Sequence, residues 1–236
     1  MQNRYAGDVG DFIKLGLIRH LTADDLSFGV NWYLTPDEAH NADGKHVAYV
    51  EPENRQYSSL KTCDPDLMQR LSGVVAGSRS VEALEDSGAL PVGALTFGEV
   101  LDRSVNRQAW HERALAALAS ADAVLVDPDN GLASASRTPT IKHVPMGELA
   151  DYAARGQSLV VYHHADRSAK AEDQAKTQLG RIVRAVGQAP VGTIIARRGS
   201  CRLFLVTASD EHLNALADRV QSFTERWRGH VELVRI

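Results

Sequence analysis

A run of apolar residues that ends in an acidic turn constrains this chain more than any other feature. The segment Ala-Val-Leu-Val-Asp-Pro-Asp-Asn-Gly occupies residues 123–131, and its first four residues are all apolar. A short, uninterrupted apolar run is typical of a strand that is buried on both faces of a parallel sheet. Ligands of open α/β sheets bind beyond the carboxyl ends of such strands. The segment therefore predicts an α/β fold with a site at Asp127, Asp129 and Asn130.

Strand and helix patterns alternate along the whole chain. Strands are predicted at residues 28–34, 47–50, 94–97, 124–126, 158–162, 193–196, 203–207 and 231–234. Helices are predicted from Asp8 or Asp11 to about residue 21, from Pro65, at 107–119, 146–154 and 172–186, and after a cap at Asp210. This order predicts one Rossmann-like domain, residues 1–236, with a mostly parallel sheet and helices on both faces.

Two further patterns refine the fold class. Residues 197–200 have the length and the glycine of a hairpin turn, so the late strands are predicted to be antiparallel. A reversed strand near the end of a parallel sheet is typical of the methyltransferase-type architecture. Residues 51–91 lack strand patterning and are predicted to form a small helical insertion.

Composition excludes some classes of protein. The net charge is −4, so no global basic surface for nucleic acid is expected. No apolar run approaches the ~20 residues that span a bilayer, and the opening residues lack the apolar core of a signal peptide. Two cysteines are too few for a disulfide framework. We therefore expect a cytoplasmic protein with no membrane partner, and its oligomeric state is left open.

The first predicted helix carries a second group of candidates. Lys14 lies one turn into this helix, with Gly7 and Gly10 just before it. Asp8 and Asp11 can cap the helix and also bind substrate. Gly7 and Gly10 allow backbone N–H groups to approach an anion at the helix N-terminus.

The strand at 158–162 leads into a third group, Tyr162-His163-His164. Adjacent side chains on an extended chain point to opposite faces, so one histidine is expected to face the site. A histidine pKa near neutrality suits a general base, and His163 is the candidate. His164 and Tyr162 are candidate substrate-binding residues, as is Arg167, whose planar fork suits a phosphate or carboxylate.

Two acidic residues follow the first predicted strand, and two others suit a metal. Asp37 and Glu38 lie where an acid that binds the ribose of a cofactor is expected in such folds. Asp127 and Asp129 could alternatively share Mg²⁺ or Mn²⁺, because paired carboxylates suit a hard divalent cation.

The stretch Ala6-Gly7-Asp8-Val9-Gly10-Asp11-Phe12-Ile13-Lys14 resembles the opening of the bacterial large-subunit ribosomal RNA adenine-N6 methyltransferase family. That family has Ala-Gly-Asn-x-Ala-Asp-Val-x-Lys there, an inserted helical segment, and an Asp-Pro-Pro-Tyr motif in the place of residues 127–130. The resemblance implies a Rossmann-like fold that uses S-adenosylmethionine, with Gly7 near the cofactor. It further implies a nucleic-acid substrate and a lysine, Lys14, that points into the active site.

The chain departs from this family at two places. The glycine-rich turn after the first strand is replaced by Leu-Thr-Pro-Asp-Glu, residues 34–38, and the stacking aromatic is replaced by Asn130. Three functions therefore stay open. The first is a group-transfer enzyme with an atypical cofactor loop that acts on nucleic acid or on a small polar substrate. The second is a metal-dependent nuclease or phosphohydrolase, and the third is a noncatalytic binding module on a methyltransferase scaffold.

Overall fold

The computed structural model describes residues 1–22, 26–38, 44–134 and 138–236. Its strands are β1 (Phe28–Asn31), β2 (Leu95–Phe97), β3 (Ala123–Val126), β4 (Gly131–Leu132), β5 (His143–Val144), β6 (Ser158–His164), β7 (Ala189–Arg198), β8 (Ser200–Ala208) and β9 (Val231–Val234). Its α-helices are α1 (Val9–Leu21), α2 (Ser58–Lys61), α3 (Pro65–Ala76), α4 (Val81–Asp86), α5 (Arg107–Ala117), α6 (Met146–Ala153), α7 (Ala171–Val186) and α8 (Leu213–Arg226).

The central sheet has seven strands in the order β2-β1-β3-β6-β8-β7-β9. The first four are parallel to one another, and β8 is antiparallel to both β6 and β7. Because β9 is antiparallel to β7, the strands β8 and β9 oppose the other five. The predicted α/β fold with a mostly parallel sheet and a late antiparallel hairpin is confirmed. Strands β4 and β5 form a separate parallel pair that the sequence analysis missed, since two residues each carry no readable period.

The sheet changes its winding direction at β1. The chain passes from β1 to β2 on one side and then crosses to β3 on the other side of β1. In open α/β sheets such a reversal leaves a crevice beyond the carboxyl ends of the two strands, where ligands bind. Residues that follow β1 and β3 are therefore placed at the expected site.

Helices cover both faces of the sheet, which explains the continuous apolar run in β3. Leu125 packs into a core with residues of α1 and α8, whereas Val124 and Val126 pack into a second core with residues of α5, α6 and α7. Since alternate side chains of a strand point to opposite faces, burial on both faces requires an apolar residue at every position.

The predicted helical insertion is confirmed in part of its range, because α2, α3 and α4 lie between β1 and β2. Asp64 caps α3 by accepting from the Leu67 N–H, and Pro65 occupies its first turn. Two predictions are wrong. Residues 47–50 form no strand but contain a 3₁₀-helix, Ala48–Val50. Asp210 does not cap α8, which begins at Leu213 with His212 before it.

None of the helices in the described ranges is both long enough and apolar enough to cross a bilayer.

Candidate functional site

A cavity of about 270 Å³ lies beyond the carboxyl ends of β3 and β6. We call it the acidic cavity, because Asp8, Asp11, Asp127 and Asp129 line it. The other predicted site residues that line it are Lys14, Asn130, Tyr162 and His164. Residues predicted from three distant segments of the chain therefore meet in one cavity.

Lys14 forms the floor of the acidic cavity between two carboxylates. It is only 4 % exposed, and its Nζ donates to Asp11 Oδ1 and to Asp127 Oδ2, each at 2.7 Å. Burial disfavours the ammonium group, but the charges and hydrogen bonds of both carboxylates outweigh burial and raise the Lys14 pKa above its ordinary value. Lys14 is therefore a fixed cation that holds Asp11 and Asp127 in place, and it is not a proton donor at neutral pH.

Asp11 is the titratable carboxyl of this group. Burial, opposed by Lys14 and reinforced by the charges of Asp8 and Asp127, raises the pKa of Asp11 from 3.8 to about 6. Its Oδ2 also accepts from the Gly7 N–H at 2.9 Å. A carboxyl with a pKa near neutrality that lines a cavity can exchange a proton with a ligand.

The raised pKa of Asp11 predicts a specific pH dependence of stability. A carboxyl pKa that is higher in the folded state favours folding of the protonated form. The contribution of Asp11 is thus largest in acid and falls as pH rises from about 4 towards about 6. Urea unfolding at several pH values should show the free energy of unfolding of the native chain, minus that of Asp11→Asn, decreasing over this range. The exposed variant Ser78→Ala, which changes no titratable group, should give a flat difference, and an equally flat result for Asp11→Asn would contradict the prediction.

The start of α1 is tied to the far end of the chain. Asp8 caps α1 with Oδ1, which accepts from the Gly10 and Asp11 N–H groups at 2.7 and 3.0 Å. Its Oδ2 accepts from Arg202 of β8 at 2.8 Å, and this arginine is buried. A Cβ atom on Gly10 would lie 2.3 Å from Arg202 Nε, so the glycine makes room for the guanidinium. No local pattern signals this pairing, because 194 residues separate the partners.

Asp129 has an unsatisfied oxygen. Its side chain is 2 % exposed, and its Oδ2 accepts from Gln2 Nε2 at 2.8 Å and contacts Lys142 Nζ at 3.1 Å. Its Oδ1 is buried and has no hydrogen-bond partner among the described residues. Nearly all buried polar atoms of native proteins are hydrogen-bonded, so an orphaned carboxylate oxygen on a residue that lines a cavity indicates a missing donor.

The acids that follow β1 do not line the acidic cavity. Glu38 instead pairs with Lys142 at 2.6 Å, and through Lys142 it is linked to Asp129. Asp37 is exposed and accepts from the Arg4 N–H at 3.3 Å. Lys142 and Gln2 were not singled out from the sequence, since neither belongs to a recognisable motif.

The paired histidines point to different sides, as the extended backbone predicts. His164 lines the acidic cavity, whereas His163 does not. His163 Nδ1 accepts from the Leu132 N–H at 3.1 Å, and burial, with the nearby Arg181 and His164, lowers its pKa to about 4. The structure therefore places the predicted general base outside the cavity. Arg167 is exposed and lies outside it as well.

The remaining aromatic candidate, Tyr162, does line the acidic cavity. Burial raises the pKa of the Tyr162 phenol above its usual range, and the nearby Arg202 charge opposes this only in part. Tyr162 is therefore a neutral hydroxyl at physiological pH and can both donate and accept hydrogen bonds.

The carboxylates are not arranged to hold a metal ion. Lys14 already occupies Asp127 Oδ2, and Lys142 and Gln2 occupy Asp129 Oδ2. Within the described ranges, no group of three or more histidine, cysteine, aspartate or glutamate residues has metal-binding geometry. The alternative Mg²⁺ or Mn²⁺ site at Asp127 and Asp129 does not fit this arrangement.

The crevice between β1 and β3 is filled by Met1 and Gln2. The Met1 nitrogen donates to the carbonyl oxygens of Tyr33 and Asp127, both at 3.1 Å, and Thr35 N–H donates to the Met1 carbonyl at 2.8 Å. Met1 is 4 % exposed and Gln2 is fully buried. S-adenosylmethionine binds methyltransferase-type folds in this crevice under a glycine-rich turn, so the residues present do not fit it there.

The backbone after β1 also differs from a glycine turn. Tyr33 turns the chain with a φ of 43°, in the left-handed region that favours glycine. Its hydroxyl donates to the buried Glu148 at 2.7 Å, which in turn pairs with Arg107. A bulky, anchored side chain thus stands where a cofactor loop needs backbone that a ligand can approach closely.

A larger cavity, of about 1030 Å³, lies at the opposite edge of the sheet. It is bordered by residues before β1 and β3, and Arg19 there pairs with Asp64 and Asp66. The amino ends of parallel strands are not the edge at which such sheets bind ligands. The acidic cavity is therefore the better candidate, although it is smaller.

No protein-family model matches this chain, and no curated protein matches it. The geometry of the acidic cavity therefore carries the functional interpretation.

Proposed function

We propose that this chain binds a small molecule that carries an amino group, and that this molecule occupies the acidic cavity. In this proposal, S-adenosylmethionine does not bind in the crevice between β1 and β3. The observation that carries the proposal is the buried Oδ1 of Asp129, which lacks a donor among the described residues. An N–H group of a ligand at this oxygen would supply the missing hydrogen bond. A hydrogen bond to a charged group contributes about 1.5–3 kcal/mol.

The charge of the cavity supports an amino-bearing ligand. Four aspartates line it, and among the described residues of its lining the permanently charged cationic side chains are Lys14 and Arg202. Each of these cations is already paired with aspartate. The carboxylates that line the cavity attract amines and repel phosphates at close range, and Lys142 beside Asp129 and the Met1 ammonium offset part of their charge. A nucleic-acid backbone is therefore a poor occupant, whereas an amino-substituted base is compatible with the cavity.

The size of the cavity supports a small ligand. Its volume of about 270 Å³ is just below the range of about 300–1,000 Å³ that is usual for sites of drug-sized molecules. Tyr5 and Tyr162 are in its lining and supply aromatic surface against which a planar group can pack.

The fold and one contact support descent from a methyltransferase-type scaffold. The reversed β8 lies between β6 and β7, and Lys14 contacts Asp127, the two residues that the family resemblance implies for the active site. With the crevice filled by Met1 and Gln2, we interpret the chain as a binding protein that retains the substrate side of this scaffold.

A catalytic role is the second candidate, and one observation favours it. Asp11 lines the cavity with a pKa raised to about 6 by burial, so it can accept a proton from a bound amine or hydroxyl group and return it. Asp129 would hold the donor in place, and Lys14 would keep the carboxylates of Asp11 and Asp127 oriented. Turnover would then depend on an ionised Asp11 and rise with pH through about 6.

Calorimetry with adenosine, cytidine and putrescine tests the proposal. We expect at least one of these amines to bind the native chain, and we expect Asp129→Asn to weaken that binding about tenfold or more. The reason is that a buried hydrogen bond to a carboxylate is worth at least the 1.4 kcal/mol of a tenfold change. Asp210→Asn, at an exposed position, is the matched control. Failure of all three amines to bind, or equal affinity in Asp129→Asn, would overturn the proposal.

S-adenosylmethionine itself provides a separate check. We expect no heat of binding at high micromolar concentration, because Met1 and Gln2 occupy its place. Binding that is competitive with the amine would show that these residues leave the crevice.

A further inference from the structure

A second cavity adjoins the acidic cavity on the other side of Asn130 and His164. It has a volume of about 840 Å³, and both of these residues line the two cavities. We call it the imidazole groove, because the imidazole rings of His143 and His163 line it. Arg181 also belongs to its lining. A ligand that occupies the acidic cavity can therefore extend into the groove by passing over two side chains.

The His163 imidazole presents a hydrogen-bond donor to this groove. Its Nδ1 accepts from the Leu132 N–H at 3.1 Å, and its pKa of about 4, lowered by burial, keeps it neutral. The single ring proton is consequently on Nε2. Within the described ranges, no residue accepts a hydrogen bond from that nitrogen.

Arg181 places an uncompensated positive charge in the same groove. Its guanidinium donates to Gln178 Oε1 and to the Ala133 carbonyl, both at 2.6 Å, and no carboxylate of the described chain forms an ion pair with it. Burial and the neighbouring Arg184 lower its pKa, and no acidic group of the described residues counteracts them. A partly buried guanidinium without a carboxylate is stabilised by an anion from outside.

The acidic residues in the lining do not neutralise this charge. Asp166 and Asp173 are both exposed, so solvent screens them. Asp166 is further engaged by Ser168, whose backbone N–H donates to its carboxylate at 2.9 Å. The groove thus offers a cation and a neutral imidazole donor to an anion. The acidic cavity differs, because its aspartates offer hydrogen-bond acceptors to an amine.

We infer that the imidazole groove binds an anionic oxygen group, a phosphate or a carboxylate, of the same molecule whose amino group enters the acidic cavity. The ligand then has a donor-rich head and an anionic tail, with Asn130 and His164 between the two. Binding of the anionic tail requires only the imidazole groove. That the tail and the amino-bearing head belong to one molecule rests on the proposed function.

Two probe pairs test the inference. Inorganic phosphate and acetate report on the groove alone, while adenosine and adenosine 5′-monophosphate differ only by a phosphate. We expect phosphate or acetate to bind the native chain, and the monophosphate to bind at least tenfold more tightly than adenosine. Arg181→Gln should abolish both effects and leave the affinity for adenosine unchanged, which also shows that the variant is folded. Arg184→Gln, on the same helix and exposed, should behave as the native chain.

The outcomes separate this inference from the proposed function. Equal affinity for adenosine and its monophosphate, or unchanged anion binding in Arg181→Gln, would overturn the anion subsite. If adenosine, cytidine and putrescine all fail to bind while phosphate binds in a manner that depends on Arg181, the groove stands and the amino-binding function fails. A carboxylate tail is indicated if acetate binds and phosphate does not.

Discussion

Lys14→Met should lower the free energy of unfolding by about 3–5 kcal/mol, the range seen when one partner of a buried ion pair is removed. Asp11 and Asp127 would then be buried without their shared cation, which now contacts each of them at 2.7 Å. Methionine keeps the length of the side chain, so the loss reports on charge and hydrogen bonding more than on packing. Urea unfolding followed by circular dichroism at pH 7 measures the effect.

A second substitution tests whether the unpaired carboxylates cause the loss of stability in Lys14→Met. Asp127→Asn in the Lys14→Met chain removes one of the two uncompensated charges and should recover part of the lost stability. The exposed Lys176→Met should change the free energy of unfolding by less than about 0.5 kcal/mol, as most surface substitutions do. An equally small effect for Lys14→Met would mean that Lys14 does not hold the site together.

Gly131→Ala should cost about 3 kcal/mol through two independent effects. The residue has a φ of 103°, where an L side chain is strained by about 1–2 kcal/mol. In addition, a Cβ atom would lie 2.3 Å from His163 Nδ1 and 2.7 Å from the His163 Cα, so the backbone of β6 must move. Overpacking of this kind typically costs about 1–3 kcal/mol. Thermal and urea unfolding give the size of the loss.

A matched glycine substitution should change the free energy of unfolding in the opposite direction. Gly147 lies in the first turn of α6, and a Cβ atom there would have no atom within 4 Å. Gly147→Ala should therefore stabilise the chain by about 0.5–1 kcal/mol, since alanine is the better helix former. Similar losses at both glycines would indicate that the close approach of Gly131 to His163 is not what makes Gly131→Ala costly.

The Gly131→Ala substitution should also change the shape of the imidazole groove and thereby weaken its anion binding. His163 lines the imidazole groove, and Asn130, the neighbour of Gly131, lines both cavities. Displacement of β6 by the added methyl group should therefore weaken anion binding as well as stability. Calorimetry with inorganic phosphate on a refolded sample below its unfolding transition measures this second effect.

Local sequence patterns were sufficient to predict those strands and helices whose buried positions follow from the spacing of apolar residues. Unbroken hydrophobicity at 123–126 identified β3, because a strand covered on both faces needs apolar residues at every position. The candidate caps Asp8 and Asp11 and the proline at 65 located the starts of α1 and α3, and the structure shows that Asp8 is the cap of α1. The strand prediction for residues 47–50 is wrong, since two valines and a tyrosine favour a strand by propensity, whereas the chain there forms a short 3₁₀ turn and buries Tyr49.

Local sequence patterns predicted the α/β class, the sheet edge of the candidate site, and all four described acids that line the cavity, because strand ends and helix caps are local features. The three-dimensional fold was needed to establish which cation pairs with which acid, and on which side of β6 each histidine lies. It alone brought Arg202 to Asp8, Lys142 and Gln2 to Asp129, and Met1 into the crevice. These contacts join residues from distant parts of the chain, and their free energy depends on distance and burial, which no local pattern of residues encodes.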